Sequence, residues 1–264
     1  MMTIPAFRAR KGSGQPLVVL TAYNAMTTAA AEAAGVDMLL VGDSVGMVEL
    51  GYDSTLPVTM DDMVHHAKAV SRRRREALLV VDMPWLSYHV GAAAAVENAA
   101  RFVREAAADG VKIEGGRKRL EVLRALVDAE IPVMGHLGLT PQSVLRMGGY
   151  KVQGRAAEAA AELVEDASAI AEAGVFSIVL EGIPSDLAAR VTSAVAVPTI
   201  GIGAGPSCDG QVLVIHDLLG MLPDAVPKFV RRYADLHATS TEAIRRWAED
   251  VRAKTFPSRD ESYG

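Results

Sequence analysis

Eight short β-rich runs alternate with Ala-rich helical stretches along this chain, and that alternation limits the possible folds more than any other feature. The runs are PLVVL, DMLLV, ALLVV, GVKIE, IPVMG, FSIVL, VPTIG and QVLVI. Between them lie AMTTAAAEAAG, MDDMVHHAKAV, AAAAVENAARFVREAAADG, RKRLEVLRALVDAE and AAEAAAELVEDASAIAEAG, all strong helix formers with apolar residues three and four apart. Several meet the next strand through a glycine, in EAAGVDM, ADGVKI and EAGVFS, which reads as a helix C-cap followed by a new strand. The expectation is an α/β protein of the (β/α)8 barrel type, for which 264 residues is a suitable length. The rival is an open doubly wound sheet, which usually carries a glycine-rich phosphate turn after its first strand. Here PLVVL runs into TAYNAM, without such a turn. We therefore expect one barrel domain over residues 1–264 with a short N-terminal extension. Terminal helices are expected from about Val226 to Lys254, and a loose tail over about 255–264.

Composition narrows the function classes. The chain is 50% hydrophobic but only 5% aromatic, so Ala, Val, Leu and Ile must build the core. A formal net charge of -5 gives no electrostatic reason to expect nucleic acid or an anionic membrane as partner. The one basic run, SRRRRE from Ser71, reads as a solvated helix end. Cys208 is the only cysteine, so no internal disulfide can form, as expected of a reducing cytoplasm. No nearby base or helix start argues for a thiolate there. The first residues lack the apolar centre of a signal peptide, and no apolar run reaches the roughly 18 residues of a membrane span.

Barrel enzymes place their chemistry at the C-terminal ends of the strands. In this sequence those ends offer Asp43 and Ser44, then Asp82, then Lys112 with Glu114, then His136, then Glu181, and finally His216 with Asp217. Taken singly, an aspartate at a strand end is commonly a cap, and a lone histidine is commonly structural. Four carboxylates at one mouth, Asp43, Asp82, Glu114 and Glu181, would repel one another unless something balances them. A divalent cation would do so, and all-oxygen ligation with water and substrate completing the shell suits Mg2+. Zinc would want more His or Cys. Lys112 and Glu114 stand two apart on a strand and so share a face. Lys112 there is either a fixed cation for an anionic substrate or a Schiff-base nucleophile. His65 and His66 lie in a helix and read as surface or subunit-contact residues. GIGAG after the seventh strand is a weak phosphate-loop signal.

Longer stretches carry a specific resemblance. TAYNA, LLVGDSVGM, GYDSTLPVTMDDMVHHAKAV, VKIEGG, GHLGLTPQSV, GGYKVQGR, TIGIGAG and DGQVLVIHDLLG, in that order, resemble the ketopantoate hydroxymethyltransferase family. The resemblance implies a (β/α)8 barrel of the phosphoenolpyruvate mutase and isocitrate lyase group. It implies transfer of a one-carbon unit from 5,10-methylenetetrahydrofolate to 3-methyl-2-oxobutanoate through a Mg2+-stabilised enolate, giving 2-dehydropantoate, and a homo-oligomer, commonly a decamer. By motif, Asp43 and Asp82 look like direct metal ligands, and Glu114 like a ligand or a partner through water. Ser44 and Lys112, beside Asp43 and Asp82, look like substrate binders, and Glu181 looks like the general base. Asn24 and Trp85 depart from the usual Asp and Phe, at positions outside the proposed metal set. The rival functions are a lyase or phosphonomutase on the same barrel, a Lys112 Schiff-base aldolase, and an assembly protein without activity. Such lyases usually carry a catalytic cysteine in a mobile loop, for which Cys208 is poorly placed. An inactive protein would be expected to have lost some of the mouth carboxylates, and all four are present.

Overall fold

The computed structural model describes residues 1–263; Gly264, the end of the expected tail, lies outside them. Its contacts gather into two units, Met1–Val214 and a second beginning at Ile215.

The first unit is a closed barrel of eight parallel strands in the order β1 to β8. They are β1 (Leu17–Thr21), β2 (Met38–Val41), β3 (Leu78–Asp82), β4 (Gly110–Glu114), β5 (Val133–Gly138), β6 (Ser177–Glu181), β7 (Thr199–Ile202) and β8 (Gly210–Leu213). Each falls on one of the runs read from the sequence. The main helices of this unit are α1 (Ile4–Arg8), α2 (Ala25–Ala33), α3 (Met60–Ser71), α4 (Ala92–Ala106), α5 (Leu120–Asp128), α6 (Ala157–Glu172) and α7 (Ser185–Ala194). No helix stands between β7 and β8, which are joined by a short loop.

Side-chain caps fix several helix starts. Asn24 accepts from the Thr27 amide at 2.9 Å, and Thr59 forms a reciprocal box with Asp62. Asn24 also donates through Nδ2 to Glu49 at 3.1 Å, which an aspartate there could not do. At the C-terminal ends, Gly35 and Gly174 take positive φ as the sequence suggested. The ADG segment behaves differently: Ala107 takes the left-handed turn, with φ 50, and Gly110 is already the first residue of β4. Glycine is needed there because a Cβ would stand 2.8 Å from the Pro132 carbonyl oxygen.

Inward-facing residues sort by depth. Leu17, Val19, Met38, Leu40, Leu78, Val80, Met134, Val179, Ile200 and Val212 form the apolar filling, joined by Phe7 and Phe176. Phe7, on α1, meets Phe176 edge-on at 5.9 Å, so the N-terminal extension closes the bottom of the barrel. Two residues up each strand the inward positions turn polar: Asp82 follows Val80, Lys112 and Glu114 follow Gly110, His136 follows Met134, and Glu181 follows Val179. Register aligns them. Asp82 is level with Lys112, and Glu114 with His136. One end of the barrel is thus an apolar plug and the other a polar mouth.

In the second unit, His216 and Asp217 lie in a short helix, Ile215–Leu219, because β8 stops at Leu213. The long terminal helix, α8 (Leu236–Ala253), begins at an Asp235 cap that accepts from the Ala238 amide. Residues 226–235, expected to be helical, are not. Pro227 disfavours helical backbone at Val226, and the chain enters a helix only at the Asp235 cap. No helix among the described residues is long and apolar enough to cross a membrane.

Candidate active site

The mouth is built where β2 to β6 end. Gly42 leaves β2 with no room for a side chain, since a Cβ there would lie 2.8 Å from Ser44 Oγ and 3.5 Å from Asp82 Oδ2. That close passage brings the Asp43 amide onto Asp82 Oδ2 at 3.1 Å. Asp43, Asp82, Lys112, Glu114 and His136 are all buried. Lys112 Nζ stands 3.1 Å from Asp82 Oδ1 and 3.2 Å from His136 Nδ1. His136 Nδ1 is also 3.5 Å from Glu114 Oε1, and its Nε2 is 3.2 Å from Glu181 Oε2. Ser44 shares a hydrogen bond with the Tyr23 hydroxyl at 2.8 Å. Every site residue expected from the sequence in this unit therefore lies in one connected group.

Two residues that sequence reasoning did not single out, Gln142 and Tyr88, tie the group together. Gln142, in the turn after β5, donates from Nε2 to Asp43 Oδ2 at 2.8 Å and to the Met83 carbonyl at 2.9 Å. Its amide donates to Glu114 Oε2 at 3.1 Å. Tyr88 donates to Gln142 Oε1 at 2.7 Å and accepts from the Glu114 amide at 3.1 Å. His136, earlier balanced between a structural and a chemical role, is the bridge between Glu114 and Glu181. Gln142 and its partner Asp43 are 99 positions apart, a distance that no local pattern spans.

The electrostatics are unbalanced. Burial, then the charges of Asp82 and Glu114, push Asp43 up to about 8. Asp82 is also raised, chiefly by burial, although Lys112 opposes the shift. Burial and the Lys112 charge pull His136 down, but its contacts with Glu114 and Glu181 outweigh them and carry it up to about 9. Asp82 Oδ1 is buried without an aligned hydrogen bond; its approach to Lys112 is an ion pair only. A carboxylate oxygen left in this state, next to a second carboxylate that resists ionising, suits a cation. No three His, Cys, Asp or Glu side chains among the described residues form a complete cage. Two adjacent aspartates instead fit a cation that keeps several positions for water and substrate.

Cys208 lies elsewhere. It precedes β8 and neighbours Gly201 and Thr199, whose hydroxyl and amide donate to Asp209. Burial raises its thiol, which argues against a thiolate nucleophile there. Of the helical histidines, His65 is exposed, and His66 contacts the Tyr23 carbonyl at 2.7 Å, a scaffold role beneath Ser44.

Comparison with known proteins adds to this geometry. Residues 1–259 match the family described as ketopantoate hydroxymethyltransferase. A 3-methyl-2-oxobutanoate hydroxymethyltransferase of Syntrophomonas wolfei is 52% identical over 262 residues, covering 99% of this chain and 95% of that protein. The corresponding protein of Syntrophobacter fumaroxidans is 54% identical over 263 residues, covering 100% and 93%. Among solved structures, a 2,3-dimethylmalate lyase of the PEP mutase/isocitrate lyase superfamily aligns with TM-score 0.61 at 18% identity, covering 100% of this chain and 92% of that one. A phosphonopyruvate hydrolase solved with oxalate and Mg++ aligns with TM-score 0.62 at 16% identity, covering 99% and 93%. At such identities these structures support the barrel fold alone.

Proposed function

Because the chain belongs to the ketopantoate hydroxymethyltransferase family, we propose that it moves a one-carbon unit from 5,10-methylenetetrahydrofolate to 3-methyl-2-oxobutanoate, with water supplying the hydroxyl oxygen and tetrahydrofolate released, giving 2-dehydropantoate for pantothenate synthesis. The observation that carries the reading is the buried mouth, where two adjacent aspartates face a lysine and a glutamate–histidine pair. A Mg2+ ion held by Asp43 and Asp82, with Glu114 as a further ligand or a partner through water, would supply Lewis-acid polarisation of the oxoacid carbonyl. Lys112 adds a fixed cation for the oxoacid carboxylate, and Ser44, next in the chain to Asp43 and bonded to the Tyr23 hydroxyl, offers a further hydrogen-bonding group. Glu181 takes the proton from C3 of the oxoacid. His136 at Glu181 Oε2 holds that carboxylate in place. Gln142 donates to the carboxylates of both Asp43 and Glu114, and Tyr88 holds Gln142 in turn. Holding the C3 carbanion in line with the folate methylene is worth up to about 7–11 kcal/mol.

A Schiff-base aldolase is disfavoured because Lys112 is held in its charged form. Burial lowers its pKa, but Asp82, Glu114 and Asp43 together raise it above the ordinary lysine value. The experiment is direct. Purified protein supplied with the oxoacid, methylenetetrahydrofolate and Mg2+ is expected to form the hydroxymethylated oxoacid, read by mass spectrometry. Borohydride trapping of a protein–oxoacid adduct, with no folate dependence, would favour the aldolase instead.

The shifted groups also set a pH dependence. Asp43, raised from 3.8 to about 8, and His136, raised from 6.5 to about 9, both bind protons more tightly folded than unfolded. Their contributions to stability are complete at low pH and disappear as pH rises through those folded values. Metal-free protein is therefore expected to melt at a lower temperature near pH 8.5 than near pH 6. Saturating Mg2+, which competes with the Asp43 proton, is expected to raise the midpoint more at the higher pH. Thermal melts with and without chelator check this. A metal-free midpoint that climbs with pH would contradict the placement of these charges.

A further inference from the structure

One step outward from Glu114, the same mouth carries cations that pair with no carboxylate among the described residues. Lys118 and Arg119 follow β4 and fold back over Gly115, where a Cβ would stand 2.9 Å from Lys118 Cε and 3.1 Å from Arg119 Cγ. The Arg119 guanidinium lies 5.4 Å from the Tyr88 ring centre, and the Tyr88 and His89 rings meet at 4.2 Å with their planes tilted by 41°. Arg119 Nε and His89 Nδ1 are buried and reach no hydrogen-bond partner. Arg117 is otherwise engaged, paired with Glu165 and Asp166. Lys118, Arg119 and Arg146, the last from the short helix after β5, form no ion pair with a carboxylate among the described residues.

The crowding of positive charge is evident in how these groups titrate. Burial, then Arg146 and Arg119, push Lys118 down, with Glu114 and Asp166 opposing more weakly. Burial, then Arg119 and Lys118, carry His89 down to about 4. The neighbouring loop after β3 exposes apolar side chains, with Trp85 at 38%, Leu86 at 47% and Val90 at 71%. Unpaired cations beside exposed apolar surface suit a ligand with an aromatic body and an anionic tail. The small oxoacid has no such tail, and Lys112 already faces its site.

We propose that Lys118, Arg119 and Arg146 bind the glutamyl carboxylates of the reduced-folate donor, and that the apolar loop after β3 takes its p-aminobenzoyl ring. This rests on the reading of the protein as a folate-dependent transferase and assigns the donor its place at the mouth. Each added γ-linked glutamate brings another carboxylate, so affinity rises with tail length and falls with salt.

The test compares donors bearing one and three glutamates in the wild type and in the double variant K118A/R146A, whose replaced side chains are both exposed. In parallel, calorimetry follows p-aminobenzoyl-γ-triglutamate binding to each protein without oxoacid. The wild type is expected to show a KM about tenfold lower for the triglutamate donor, with the ratio falling to near one in the variant. The peptide is expected to bind the wild type and to weaken at least about tenfold in the variant. An equal KM ratio in both proteins, or peptide binding that is equal in both or absent from the wild type, overturns the assignment. If the wild type makes no product from either donor, the transferase reading fails, and the calorimetric arm still decides whether the cluster binds such a tail.

Discussion

Asp82→Ala is expected to lower turnover by about a thousandfold or more and to abolish detectable Mg2+ binding by calorimetry, because carbonyl polarisation by a metal is worth several kcal/mol. Asp82 Oδ2 accepts the Asp43 amide and Oδ1 faces Lys112, so one substitution removes a ligand and loosens the other aspartate. Asp43→Ala should behave likewise. General unfolding is separated from ligand loss by Asp43→Asn, which keeps the shape and an acceptor for Gln142. It removes one of the mutually repelling buried charges, so its metal-free midpoint at alkaline pH is expected to rise while the response to Mg2+ disappears. A variant that loses stability and metal together is only misfolded, and unchanged Mg2+ titration in Asp82→Ala removes that residue from the ligand set.

Glu181→Gln is expected to slow solvent-deuterium exchange at C3 of the oxoacid by about 10²–10⁴-fold, the usual range for loss of a general base. Oxoacid binding should survive, because Lys112, Asp43 and Asp82 remain. The amide is isosteric with the carboxylate that stands 3.2 Å from His136 Nε2, so the change removes basicity with little change of shape. Proton NMR in deuterated buffer follows the exchange without folate. Wild-type exchange rates in the variant would move the base role elsewhere in the mouth.

The barrel was legible because two local signals agreed: β-rich runs of strand length, and Ala-rich segments of helical period between them. The mouth was legible for the same reason, since Asp82, Glu114 and Glu181 each stand at the end of a strand run, where an inward-facing charge breaks the apolar pattern. What escaped was long-range or backbone-determined. Gln142 and Tyr88 meet 54 positions apart, and only closure of the barrel brings their loops together. The stop of β8 at Leu213 turns what read as QVLVI into a strand followed by a helix start. Ala107 supplies the left-handed turn where a glycine three residues later had drawn attention. The cations Lys118 and Arg119 were visible in the sequence, but their lack of acidic partners was not.

The central claim is that these aspartates serve a divalent ion without which the oxoacid is not activated. The most direct measurement is C3 deuterium exchange by the intact wild-type protein after exhaustive chelator dialysis, before and after Mg2+ is restored. The account predicts that exchange falls to background and returns on titration with Mg2+, with a midpoint that shifts to lower concentration as pH rises toward 8. Exchange that continues at the original rate in the chelated protein would contradict it.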